Sequence, residues 1–111
     1  MALDLPNAKA KITAVTEGTA QTLYTATAND QKVTSIRFAN TDGTNSVNVS
    51  VFIENSAVKY YVSGLATPLP AGSAMNVVAG DAINLVNGDV VKVYASATGD
   101  ADVIISFAEL S

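Results

Sequence analysis

From Val47 to Glu54 the chain alternates its side chains. Val47, Val49, Val51 and Ile53 fall on one face of an extended strand, and Asn48, Ser50, Phe52 and Glu54 fall on the other. The same period of two recurs at Val91, Val93 and Ala95 against Lys92, Tyr94 and Ser96. It recurs again at Val103, Ile105 and Phe107 against Ile104, Ser106 and Ala108. Each stretch predicts a strand with one buried face. Shorter strand signals cover Lys9 to Val15, Gln21 to Thr27, Val33 to Ala39, Val58 to Val62, Met75 to Val78 and Ala82 to Val86. No window keeps helical spacing without strand formers interrupting it.

The punctuation agrees with strands. Asp42-Gly43, Asn87-Gly88 and Thr98-Gly99-Asp100 sit between apolar runs and predict hairpin connections, with Gly supplying positive φ. Thr67-Pro68-Leu69-Pro70-Ala71-Gly72-Ser73 cannot donate ladder hydrogen bonds at its prolines, so it is expected along an edge or crossing between sheets. Eight or nine short strands spaced this way predict an all-β fold, a single small β-sandwich of jelly-roll or immunoglobulin-like type over residues 8–111. Residues 1–7 precede it as a candidate N-terminal arm. The immunoglobulin signature of paired Cys around a Trp is ruled out, because the chain has neither residue type. Strand count does not choose between the two topologies.

Composition adds a functional constraint. Hydrophobic residues make up 49% of the 111 residues and charged ones only 14%, against about 25% charged in an average soluble domain. So sparse a supply of charge favours a surface partly covered by other subunits, since interface cores are depleted in charge. The absence of His and Cys removes the commonest general base, the commonest metal ligand, thiolate nucleophiles and disulfides together. The net charge is −4, and the lysines and Arg37 are scattered along the chain, so nucleic-acid binding is not expected. The start, Met-Ala-Leu-Asp-Leu-Pro, has no basic n-region or apolar h-region, and no run is long enough to span a bilayer. A soluble protein made in the cytoplasm is the expectation.

Candidate chemistry is thin. Asp100-Ala101-Asp102 offers oxygen ligands to calcium, but Asp beside Gly reads first as turn chemistry, and Asp81 and Asp89 add no fixed interval. Glu17, Glu54 and Glu109 form no spaced pair of the kind glycoside hydrolysis uses. Serine and threonine are plentiful without a base to activate them. No enzyme, catalytic residue, cofactor or metal is therefore expected. Tyr60-Tyr61, with Tyr24 and Phe52, is the one aromatic grouping to weigh as a binding surface. Neighbouring tyrosines on a strand point to opposite faces, so one is expected in the core and the other at the surface.

Several runs carry a resemblance. Leu23-Tyr24-Thr25-Ala26, Val33 to Thr41, Val47 to Val51 and Tyr60-Tyr61 are followed by Pro68-Leu69-Pro70-Ala71-Gly72-Ser73, by Gly88-Asp89, by Val91-Lys92-Val93-Tyr94-Ala95 and by a last strand from Asp102 to Leu110. This pattern of strands and turns, from about Leu23 onward, resembles small virion structural proteins of tailed bacteriophages. The resemblance implies a β-sandwich particle component: a capsid decoration protein, or a tail or fibre-associated subunit. It implies a virion location and, as partners, copies of itself and the major capsid protein or other virion proteins. A homo-oligomer is expected, a trimer for a decoration role, with neither nucleic acid nor membrane as partner. Leu3 and Leu5 in the arm, with Tyr60 and Tyr61, are the candidate interface residues. A carbohydrate-binding or adhesin-like module is the competing class, with its platform near Tyr60 or Tyr61.

Overall fold

β-branched side chains at alternate positions favour extended backbone and pack on one sheet face, and the chain realises this almost throughout. The computed structural model describes residues 3–4, 7–27, 31–63, 67–78 and 83–110. Among the described residues eleven strands follow one another: β1 (Leu3–Asp4), β2 (Asn7–Lys11), β3 (Gln21–Thr25), β4 (Gln31–Asn40), β5 (Val47–Asn55), β6 (Val58–Tyr61), β7 (Thr67–Leu69), β8 (Ala74–Val78), β9 (Ile83–Leu85), β10 (Val90–Ala95) and β11 (Ala101–Leu110). A 3-10 turn, Glu17–Thr19, precedes β3. Among the described residues no helix is long and apolar enough to cross a membrane.

The strands form two antiparallel sheets packed face to face. In the six-stranded sheet β1 and β2 both lie along β11, β11 pairs with β4, and β8 and β9 both lie along β4. In the five-stranded sheet β3 pairs with β10, β10 with β5, and β6 and β7 both lie along β5. If β1/β2, β6/β7 and β8/β9 each count as one lane, there are eight lanes, ordered 1-8-3-6 and 2-7-4-5. First thus pairs with last, second with seventh, third with sixth and fourth with fifth. This is one long antiparallel ribbon rolled into a sandwich, which is the jelly roll and not the immunoglobulin order.

The core lies between the sheets. Val33, Ile36 and Phe38 of β4 and Val103, Ile105 and Phe107 of β11 face Val47, Val49 and Val51 of β5 and Val91, Val93 and Ala95 of β10, all buried. Tyr24 of β3 stacks on Phe107 across the gap, with ring centroids 4.0 Å apart. The expected strand Lys9 to Val15 ends at Lys11, because the chain there changes sheets. The Ile12 N–H donates to Ala101 O, Gly99 N–H to Ile12 O and Ala95 N–H to Ala14 O. The Gln21 side chain secures this crossover, accepting from the N–H groups of Thr13 and Ala14 and donating to Lys11 O.

The glycine turns differ from expectation. Asp42-Gly43, Asn87-Gly88 and Thr98-Gly99-Asp100 are not hairpins; each carries the chain from one sheet to the other. Gly88 and Gly99 hold the expected positive φ, at 95° and 79°, whereas Gly43 does not, and a turn reverses a chain locally whether it returns to the same sheet or arches over to the facing one. The tight hairpin joins β5 to β6 through Ser56 and Ala57, which hold φ of 53° and 65° without glycine. Such a pair of positive φ values suits a type I′ turn, at a cost of about 1–2 kcal/mol for each non-glycine residue. Ala57→Gly should therefore raise stability in urea denaturation by about 0.5–1 kcal/mol, after the extra chain entropy of glycine is subtracted. The proline segment fulfils both halves of its expectation: β7 is an edge strand, and Pro70 to Ser73 then crosses to β8.

Candidate interaction surfaces

The outward face of β5 departs from the sequence expectation. Phe52 and Ser50, expected toward solvent, are buried, at 0% and 1% exposure. Register explains why. Phe52 lies opposite Tyr61 of β6 and Ser50 opposite Tyr94 of β10, so two tyrosine rings close over the phenyl ring at centroid distances of 5.3 and 6.3 Å. The Tyr61 hydroxyl donates to Glu17 in the 3-10 turn, which leaves Tyr94 to donate to it across 3.1 Å. Beside these rings, Lys92 and Lys59 hold Glu54 at 2.8 and 3.5 Å, and Lys59 also reaches Glu17 at 3.8 Å. The hydrogen bond from Lys92 keeps the Glu54 carboxyl below its ordinary range. The sandwich thus carries a second, outer cluster on this face.

That cluster has a pH signature. Burial, then the bonds to Glu17 and Tyr94, push the Tyr61 hydroxyl above its ordinary value of 10.0. A raised folded-state value stabilises the fold fully below the unfolded value and loses that stabilisation as pH rises beyond it. Wild-type protein should therefore lose stability above about pH 10 more steeply than Tyr61→Phe, read as urea midpoints across that range.

Tyr60 and Tyr61 do point to opposite faces, but the expected core ring is missing. Tyr60 has the core-side parity, opposite Ile53, yet it lies at the sheet edge and is 60% exposed. Tyr61, on the outer side, is the packed one. Neither enters the core between the sheets, and a coplanar aromatic pair is not formed. Tyr60 instead shares one end of the sandwich with Val58 and with Val86, which follows β9; all three are about half exposed or more. The hairpin and the 86–89 turn are tied there by Asn55 Nδ2 to Asp89 Oδ1 at 2.7 Å.

Edge strands differ in how they are protected. β2 carries Lys9 and Lys11, and the β6/β7 edge carries Lys59 and Pro68, devices that discourage pairing with another chain. β8, Ala74-Met75-Asn76-Val77-Val78, has neither charge nor proline, and nor has β3, Gln21-Thr22-Leu23-Tyr24-Thr25, at the opposite side of the sandwich. Asn40 N–H donates to Ser73 O, and antiparallel bonding alternates from there. The backbone N–H and C=O groups of Ala74 and Asn76 therefore point away from β4, toward the free edge.

The outer face of the six-stranded sheet gathers basic residues that the sequence scatters. Lys9, Ile104, Arg37 and Asn76 form one cross-strand row, and Lys11, Asp102, Ala39 and Ala74 form the next. Lys32 lies further along the same face of β4. Four of the six basic residues thus share one exposed face. The acid described there, Asp102, is paired with Lys11 at 2.9 Å. A shallow groove of about 340 Å³ runs over Lys9, Ala10, Lys11, Asp102, Val103 and Ile104, with Ile104 45% exposed.

The remaining candidates are structural where they are described. Asp100 offers its backbone carbonyl to Thr41, Asp42 accepts from the N–H groups of Thr44 and Asn45, and Asp89 accepts from Val86 N–H. Those bonds hold the Asp42 carboxyl below its usual value. Among the described residues no three acidic side chains converge as a metal site. Asp81 lies outside the described residues, as do the side chain of Glu109 and Leu5. Leu3–Asp4 of the candidate arm pairs with Glu109 and Leu110 of the chain's own β11, and Asn7 opens β2. Compared with known proteins, the chain matches no family model, and no characterised protein shows significant similarity to it.

Proposed function

We propose that this chain is a non-enzymatic virion structural protein, a capsid decoration subunit that binds the shell of a tailed phage and associates with copies of itself. The observation that carries the reading is the unprotected β8 edge, lying on the side of the sandwich whose far end exposes Val58, Tyr60 and Val86. Uncharged strand edges beside exposed apolar side chains are surfaces for other protein chains. The jelly-roll order is compatible, since it builds viral capsid and lectin domains alike, and for that reason it does not choose between them. A tail or fibre position would use the same surfaces.

Self-association is expected to run through β8. Analytical ultracentrifugation should show a homo-oligomer for the wild type and a shift toward monomer for Asn76→Pro, which removes a free-edge N–H without breaking a β4 bond. Co-sedimentation with intact particles tests the role itself. A copy number that scales with the major capsid protein supports decoration, a few copies per particle place the chain in the tail, and no co-sedimentation removes the virion reading.

A further inference from the structure

The acidic chain turns a cationic face outward, and this asymmetry has a use. Lys9, Lys11, Lys32 and Arg37 share the outer face of the six-stranded sheet, whereas Glu17, Glu54, Asp42, Asp89 and Asp100 lie on the other sheet, in the connecting segment or in the turns. Across the central row, Ile104 stands with Lys9 on one side and Arg37 on the other. Adjacent strands are about 4.8 Å apart, so the backbones that carry Lys9 and Arg37 are about 10 Å apart, with an exposed isoleucine between them. Among the described residues no acid pairs with Lys9, Lys32 or Arg37. The rest of this face is small or polar: Ser35, Ala39, Ala74, Asn76 and Ser106.

We propose that this face is the docking surface for an acidic protein surface, namely that of the phage shell, one that places carboxylates around an apolar side chain so that they meet Lys9 and Arg37 while Ile104 is covered. The inference rests on the decoration reading. Charge complementarity selects the occupant. A second copy docked here about a two-fold axis would set like charges against each other, so self-association belongs to the β8 edge instead. Single-stranded nucleic acid is disfavoured because the face presents no aromatic side chain on which bases could stack, all seven aromatic residues lying elsewhere. The apolar residue at the centre and the charged rim match the anatomy of a protein interface. With a net charge of −4 overall, the positive face also orients the chain as it approaches an acidic shell.

The test uses shells assembled from the major capsid protein of the same phage and emptied of DNA, with binding measured by co-sedimentation over a range of salt. Wild-type protein should bind, and more weakly as salt rises. Lys9→Glu and Arg37→Glu should each lower affinity by about tenfold or more. Ile104→Thr should lower affinity while leaving the salt dependence as it was. The double variant Thr22→Glu/Thr25→Glu, which alters net charge as much as one reversal but on exposed β3 positions, should bind like wild type. Unchanged melting temperatures confirm that the variants fold. Wild-type binding with undiminished binding by both reversals would overturn this inference and leave the decoration reading standing. No wild-type binding to shells would take down both. Binding to a double-stranded DNA fragment with the same variant sensitivity, and not to emptied shells, would assign the face to nucleic acid instead.

Discussion

Val49→Asp should leave the protein unfolded, with no cooperative melt and a far-UV spectrum lacking the strand signal. Val49 is 0% exposed, lies between Ala95 of β10 and Thr67 of β7, and packs in the core shared by both sheets. A carboxylate there has no partner and no water, so it either stays charged at a prohibitive cost or protonates and still leaves polar oxygens unbonded. Either outcome exceeds about 4–5 kcal/mol, a large share of the roughly 5–15 kcal/mol that holds a small domain together. The neighbouring Asn48→Asp is the control, because Asn48 is exposed on the opposite face, and its effect should stay within about 0.5 kcal/mol. Equal tolerance at the two positions in thermal melts would show that the β5 register is wrong.

Phe52→Ala should cost about 3–4 kcal/mol, although Phe52 points away from the core between the sheets. The alternation along β5 predicts a mild effect at this outward position. The structure predicts a core-like one, because Tyr61 and Tyr94 cover the ring completely. Removing it leaves a void beneath two tyrosines whose hydroxyls are anchored to each other and to Glu17, so the rings cannot easily collapse inward. Tyr60→Ala, at a 60% exposed ring on the same hairpin, should be far milder in the same urea titrations. Comparable losses at Phe52 and Tyr60 would dispose of the outer cluster as a stabilising element.

The two variants mark where sequence reading succeeds and where it stops. Side-chain parity is a local property, since successive residues of any strand must point to opposite faces, so the inward sets Val47/Val49/Val51, Val91/Val93/Ala95 and Val103/Ile105/Phe107 are legible before any sheet is built. What covers the outward set depends on which strand lies alongside. Phe52 is buried because β6 and β10 bring tyrosines beside it from positions 61 and 94, a coincidence of register that no local pattern encodes.

The turns make the same point. Gly and Asx residues announced a reversal at Asp42-Gly43, Asn87-Gly88 and Thr98-Gly99, but the partner sheet is chosen by long-range pairing, so predicted hairpins became arches. The tight hairpin at Ser56 and Ala57 carries no glycine, so no local signal marks it; the β5–β6 pairing holds two ordinary residues in positive φ. By itself, then, the sequence determined an all-β sandwich, the inward faces of its main strands and the lack of His and Cys chemistry, because each follows from composition or from the two-residue period of a strand. Only the tertiary structure decided the jelly-roll order, the outer aromatic cluster, the exposure of Tyr60 rather than Tyr61 and the gathering of Lys9, Lys11, Lys32 and Arg37 on one face. Each of these depends on which distant strands become neighbours, and that choice is made by the burial of the whole core at once.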